Sequence, residues 1–353
     1  MLSRSRWLPL AVAVLIVLAL AGCGQQTQAT PPVDEPMSDT YYIFDTIVTV
    51  KVYDSGMTKQ NFNEIEQLLQ KIDKEMNRQR PDSEISQVNK NAGQGGAIVS
   101  EETFGVVKTA LDYAARTGGR FDPTVGPLVD LWGIGHEGAA VPGQASLSAA
   151  LKLVGYQDAS LDESSLRVTL ARPGMSIDLG AIAKGYAADV IAKYLESRGF
   201  HQAIIDLGGN VLALGSRPDG SDWRIGIQDP GEERGNPLGV LELSDKTVVT
   251  SGIYERFFIQ DNIVYHHILD TRTGCPVENN LLSVTIITDQ SERADAMSTS
   301  VFALGLEEGM KFVEANDNME AIFVTKNKKI YLSAGLKGKF ELTREDYRLA
   351  EWE

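Results

Sequence analysis

Histidine and cysteine are scarce in this 353-residue chain, with four and two residues. They form no cluster with zinc-ligand spacing, which sets aside a structural zinc site. Positive charge is also short: 33 Lys and Arg stand against 48 Asp and Glu, a net charge of −15. That balance argues against a surface for polyanions, so nucleic acid is not an expected partner. An acidic protein that handles an anionic nucleotide needs local positive charge or a metal ion. No Gly-x-Gly-x-x-Gly follows a strand pattern, so a Rossmann dinucleotide site has no support. No internal repeat is visible. The apolar run over 8–20 is too short for a comfortable membrane span.

That run has another reading. Arg4 and Arg6 precede it, and Leu20-Ala-Gly-Cys23 follows and resembles a bacterial lipobox. Residues 1–22 are therefore expected to be a signal peptide, and Cys23 a lipidated N-terminus. Lipid on Cys23 leaves Cys275 without an intramolecular disulfide partner. Residues 23–39, rich in Gln, Thr and Pro, read as a tether from an exported, membrane-anchored position. Residues 40–353 read as one domain.

Within that domain the periodicity alternates between two and 3.6. Strands are predicted over 41–53, 166–170, 203–207, 211–214, 223–227, 239–243, 247–250, 282–288, 321–325 and 329–332. Helices are predicted over 60–77, 101–117, 146–156, 180–198, 291–304 and 307–314. The close spacing of the later strands points to a mixed α/β (α+β) fold. Its sheet should be largely antiparallel, with packed helices, rather than doubly wound and parallel. Trp132 reads as core, and Cys275, in Thr273-Gly-Cys-Pro276, as a turn residue.

The chemistry concentrates in two stretches. In the first, Asp178 precedes a run of small residues, Gly180, Ala181, Ala183, Gly185 and Ala187, with Lys184 among them. Two glycines in a helical start cost about 1 kcal/mol each against alanine. A close helix crossing or a ligand lying on the backbone would offset that, since helix N-termini favour phosphate. In the second, Asp295 and Thr299 are four residues apart, on one helical face. Carboxylate and hydroxyl oxygens suit a hard cation such as Mg²⁺. The alternative is a solvated Asp beside a Thr bonded back to its own helix.

Asp178-Leu-Gly-Ala-Ile-Ala-Lys-Gly-Tyr-Ala-Ala-Asp189 resembles the central signature of the ApbE family of FAD:protein FMN transferases. Further similar blocks follow the family's order: Phe121-Asp-Pro-Thr-Val-Gly-Pro-Leu128, Gly208-Gly-Asn210, Ser251-Gly-Ile-Tyr-Glu-Arg256, His267-Ile-Leu-Asp270 and Ala294-Asp-Ala-Met-Ser-Thr299. The resemblance runs from about Tyr41 to about Leu332. It implies an Mg²⁺-dependent enzyme that cleaves FAD, moves FMN onto a threonine of a target protein and releases AMP. The Ala181 carbonyl, Asp295 and Thr299 would hold the metal. Phe44, Gln79, Arg120, Phe121, Asp122, Asp178, Lys184 and Leu269 would contact the nucleotide. The family often has Met-Gly where this chain has Phe44-Asp45, and Tyr where it has Gln79. His267 is the first candidate for taking the threonine proton, Asp295 the second. Family targets include subunits of sodium-pumping NADH:quinone oxidoreductase and Rnf-type complexes. Two alternatives stay open, an FAD pyrophosphatase and a flavin-holding lipoprotein without catalysis.

Overall fold

A computed structural model of the chain describes residues 35–352. Cys23 and the rest of the expected signal and lipid anchor lie outside the described residues. The central sheet has nine strands: β1 (Met37–Ile43), β2 (Thr46–Val52), β3 (Ala203–Leu207), β4 (Asn210–Leu214), β5 (Lys246–Gly252), β6 (Leu281–Thr288), β7 (Met319–Thr325), β8 (Lys329–Leu332) and β9 (Arg348–Leu349). They lie side by side in chain order. All neighbours are antiparallel except the last pair, β8 and β9. The expected α+β architecture is the observed one.

Six helices are inserted between β2 and β3: α1 (Lys59–Met76), α2 (Glu84–Lys90), α3 (Glu101–Arg116), α4 (Gly126–Trp132), α5 (Gln144–Leu151) and α6 (Ala183–Ser197). A seventh, α7 (Ser291–Glu314), joins β6 to β7. Helix α1 buries Phe62, Ile65, Leu69, Ile72 and Met76 on one face, and Thr58 and Asn61 close a capping box at its start. The sheet has a core on each side, and period-two alternation sorts residues between them. Val284, Ile286, Ala321 and Phe323 join the helices in the larger core, whereas Ile287, Ile322 and Val324 face a smaller one. A three-stranded sheet (Trp223–Gln228, Pro237–Leu243 and Phe340–Leu342) covers the smaller core.

Four sequence expectations change. The strand predicted over 41–53 is a hairpin, because Phe44 and Asp45 form a two-residue turn with φ of 57° and 54°. Such a turn needs positive φ at both central residues, which Asn and Gly supply easily and Phe does not. The tether is shorter than expected, since β1 takes up Met37–Asp39. Helix α6 starts at Ala183 rather than Gly180. Residues 179–182 make a turn in which the Leu179 carbonyl accepts the N–H groups of Ile182 and Ala183. Helices α2 and α4 were not legible, each being only seven residues long. Gly305, at φ 80°, kinks α7 between the two helices predicted there.

Candidate active site

Helices α6 and α7 cap each other, and that exchange builds the centre of the site. Neither has a side-chain cap from its own N-cap residue. Instead the Asp189 carboxylate of α6 accepts the N–H groups of Ser291 and Glu292 at 2.9 Å each, in the first turn of α7. The Asp295 carboxylate of α7 accepts the Gly185 N–H of α6 at 3.0 Å. Each carboxylate thus meets orphan donors at the positive end of the other helix. The helices approach closely because residue 185 has no side chain. A Cβ there would lie 2.1 Å from the Ser291 carbonyl oxygen. Gly185 therefore serves a helix crossing, whereas Gly180, Ala181 and Ala183 line the cleft.

Asp295 is only 4% exposed, so it is not a solvated surface residue. Asn210, at the start of β4, donates to it at 2.9 Å. The Lys184 ammonium stands 3.4 and 3.5 Å from its two oxygens and donates to the Gly180 carbonyl at 3.1 Å. The hydroxyls that bond back along α7 are Ser298 and Ser300. Thr299 instead faces Ser251, with 3.3 Å between hydroxyl oxygens.

A cleft of about 620 Å³ opens over this corner. The size is that of a small-molecule site. It is lined by Phe44, Gln79, Arg120, Phe121, Asp122, Asp178, Ala181, Lys184, His267, Leu269, Asp295 and Thr299, so the fold brings every predicted site residue in the described range to one cavity. Phe44 reaches it from the tip of the β1–β2 hairpin. At Asp178, one oxygen accepts the Gly180 N–H at 2.7 Å while the other lies 3.5 Å from Arg78. Gln79 donates across the cleft mouth to the His136 ring at 3.2 Å. Asp122 is spent differently. Its carboxylate accepts the Thr124 N–H and hydroxyl and the Tyr156 N–H, so it shapes the wall, and burial pushes its pKa up.

His267 is partly exposed to the cleft. A carbonyl can only accept, so its Nδ1 carries the proton donated to the Arg256 carbonyl at 3.2 Å. Nε2 is then the acceptor nitrogen. Enclosure by the cleft walls, with Arg256 and Lys184 nearby, pushes its pKa down to about 4. Residues that sequence reasoning did not single out complete the site. Arg78, Arg234 and Arg256 add positive charge to the lining, and Asn210 and Ser251 hold Asp295 and Thr299. Asn210, Ser251 and Arg256 lie within the recognised blocks, and Arg78 lies in the 77–86 segment that resembles a family loop. Trp132 is core, as expected, with its indole N–H on the Gly274 carbonyl at 2.7 Å. Cys275 sits in a turn with its thiol pKa raised by burial.

An antiparallel α+β domain whose cleft is lined by five Lys and Arg and five Asp and Glu side chains, over a buried carboxylate with a hydroxyl one turn away, defines a binder of a charged small molecule. The ApbE family model matches residues 44–323. A FAD:protein FMN transferase of Klebsiella pneumoniae (strain 342) is 38% identical over 285 residues, covering 81% of this chain and 88% of that one. One of Treponema pallidum (strain Nichols) is 33% identical over 341 residues, covering 92% and 93%. Among solved structures, the ApbE protein of Thermotoga maritima superposes with a TM-score of 0.79 at 32% identity, and the flavin transferase ApbE of Vibrio cholerae with 0.78 at 32%. Each covers 86% of this chain and 99% of its own. The chain belongs to the ApbE family.

Proposed function

We propose that this chain transfers FMN from FAD to a threonine hydroxyl of a partner protein, with Mg²⁺, and releases AMP. The observation that carries the reading is the Lys184–Asp295–Asn210 corner at the base of a cleft that also gathers Arg78 and Arg120. The reaction breaks the phosphoanhydride of FAD, with AMP as the leaving group, and forms a phosphoester to the threonine oxygen, so positioning and charge neutralisation carry most of the catalysis.

The donors fit Mg²⁺. Among the described residues no group of three His, Cys, Asp or Glu gathers, as a zinc or calcium cage would need. Mg²⁺ instead takes one or two carboxylates and keeps positions for phosphate oxygens and water. Asp295, the Thr299 hydroxyl and the Ala181 carbonyl are oxygen donors on one cleft lining. When bound, the ion neutralises charge on the phosphates. Lys184 and Arg120 supply fixed positive charge, Asp178 holds the turn before α6, and Phe44 offers a ring face. His267, neutral at pH 7, takes the threonine proton on Nε2. The expected location is the outer face of the cell membrane, through lipid on Cys23. The expected acceptors are subunits of sodium-pumping NADH:quinone oxidoreductase or Rnf-type complexes.

The test mixes the full chain with FAD, Mg²⁺ and such a subunit, and follows in-gel flavin fluorescence together with AMP. A fluorescent acceptor band abolished by EDTA is the expected result. Steady AMP without a labelled acceptor means that water is the acceptor and the chain is a pyrophosphatase. Bound FAD with neither product leaves a flavin-holding protein. His267→Gln should slow transfer about a hundredfold and leave FAD affinity unchanged.

A further inference from the structure

The two edges of the central sheet are treated differently. β9 is two residues long, and a short edge offers little template for another strand. β1 is seven residues long, contains no proline or lysine, and among the described residues pairs only with β2. The two-residue turn sets its register. Ile43 with Thr46, Tyr41 with Val48 and Asp39 with Val50 are the pairs that exchange hydrogen bonds. The peptide groups of Ser38, Thr40 and Tyr42 therefore point outward. The Thr40 N–H meets only the side chain of the preceding residue, Asp39, at 2.8 Å.

A groove of about 300 Å³ runs along this edge, between β1 and α1. Leu69 and Gln70 line it, and its charged groups are two carboxylates, Asp39 and Glu66. Tyr42 lines both this groove and the cleft, and β1 turns at Phe44 into the cleft rim. Tyr42 is 80% exposed there, beside its cross-strand partner Ile47 at 60%.

We propose that the outer edge of β1 and its groove dock an extended segment of the acceptor polypeptide, which adds as a further strand and carries a basic residue opposite Asp39 and Glu66. Main-chain bonds to Ser38, Thr40 and Tyr42 hold the segment, and the strand direction delivers its threonine to the cleft. Thr40 to Phe44 is four residues, about 14 Å of extended chain, so the docked and reacting parts lie a few residues apart. The inference rests on the transferase reading and names how the protein substrate is held.

The test uses the full chain with FAD and Mg²⁺. The probes are the flavin-accepting subunit of a sodium-pumping NADH:quinone oxidoreductase and a synthetic peptide spanning its acceptor threonine. Thr40→Pro removes an outward N–H without breaking the β1–β2 ladder. It should raise the acceptor KM at least tenfold and leave FAD affinity, read by flavin fluorescence, unchanged. Glu66→Lys should raise the acceptor KM several-fold at low salt and less at high salt. In the wild-type chain, hydrogen exchange at Ser38, Thr40 and Tyr42 should slow when the peptide is added. Unchanged acceptor KM in both variants overturns the proposal. So does unchanged exchange, or exchange already slow in the chain alone. A dimer by sedimentation that Thr40→Pro dissolves assigns the edge to a second copy and also overturns it. If Thr40→Pro does not fold, the wild-type exchange decides. Failure of the wild type to label the subunit or release AMP counts instead against the transferase reading.

Discussion

Two buried carboxylates line the same cleft and are held in different ways. Asp122 takes its three bonds from Thr124 and Tyr156, on the wall that it belongs to. Asp295 takes its bonds from Gly185 and Lys184 on α6 and from Asn210 on β4. A carboxylate satisfied by its own wall fixes a shape. One satisfied by separate elements ties those elements together, and with Thr299 one turn away it presents oxygens to a ligand. The difference lies in the origin of the donors, since both groups are nearly inaccessible to solvent.

Substitutions can break or sharpen that contrast. The largest effect is expected at Asp295. Asp295→Asn should lower FMN transfer at least about a hundredfold, because the charge that balances a cation is gone. Its folding stability should fall by only about 1–3 kcal/mol, the cost of mismatched buried hydrogen bonds. Turnover measured beside a melting curve separates the two. Next comes Gly185→Ala, whose methyl would press on the Ser291 carbonyl. Overpacking of this kind costs roughly 1–3 kcal/mol and moves Asp295 with its helix. Denaturant unfolding should show the loss, with transfer falling alongside it. A wild-type-like Gly185→Ala would show that the crossing yields and that Asp295 is not positioned by it.

Asp122→Asn should cost about 1 kcal/mol and appear in the KM for FAD rather than in turnover. Equal turnover losses at Asp122 and Asp295 would collapse the distinction between shaping and reacting carboxylates. The smallest effect is a pH slope from His267. Its folded pKa, about 4, lies below the usual value of 6.5. Between these values the unfolded chain binds a proton that the folded chain refuses, so stability rises with pH across that window and is lost as pH falls. The melting temperature should therefore drop more steeply from pH 6.5 to 4 in the wild type than in His267→Gln. Parallel curves would mean that the imidazole is not shielded by the cleft.

Much of this was legible without coordinates. The buried face of α1 follows from Phe62, Ile65, Leu69, Ile72 and Met76 at helical spacing, and the antiparallel sheet from short alternating strands. Asp295 and Thr299 stood out because four residues make one helical turn. The hairpin at Phe44–Asp45 was hidden because β-branched alternation runs straight through it and Phe44 is not a usual left-handed residue. The start of α6 was placed three residues early because a turn and a first helical turn look alike in sequence. Arg78 was missed because a loop arginine has no periodicity to read, and its partner Asp178 is a hundred residues further on.

The sequence by itself determined which faces of the long helices are buried, where most strands fall and which oxygen-bearing residues share a helical turn. Those features are local, and period and composition record them directly. Only the tertiary structure decided that Asp295 would meet Asn210, 85 residues away, and Gly185, 110 residues away. A carboxylate's role depends on the dipoles and charges brought to it, and in this fold they arrive from other elements.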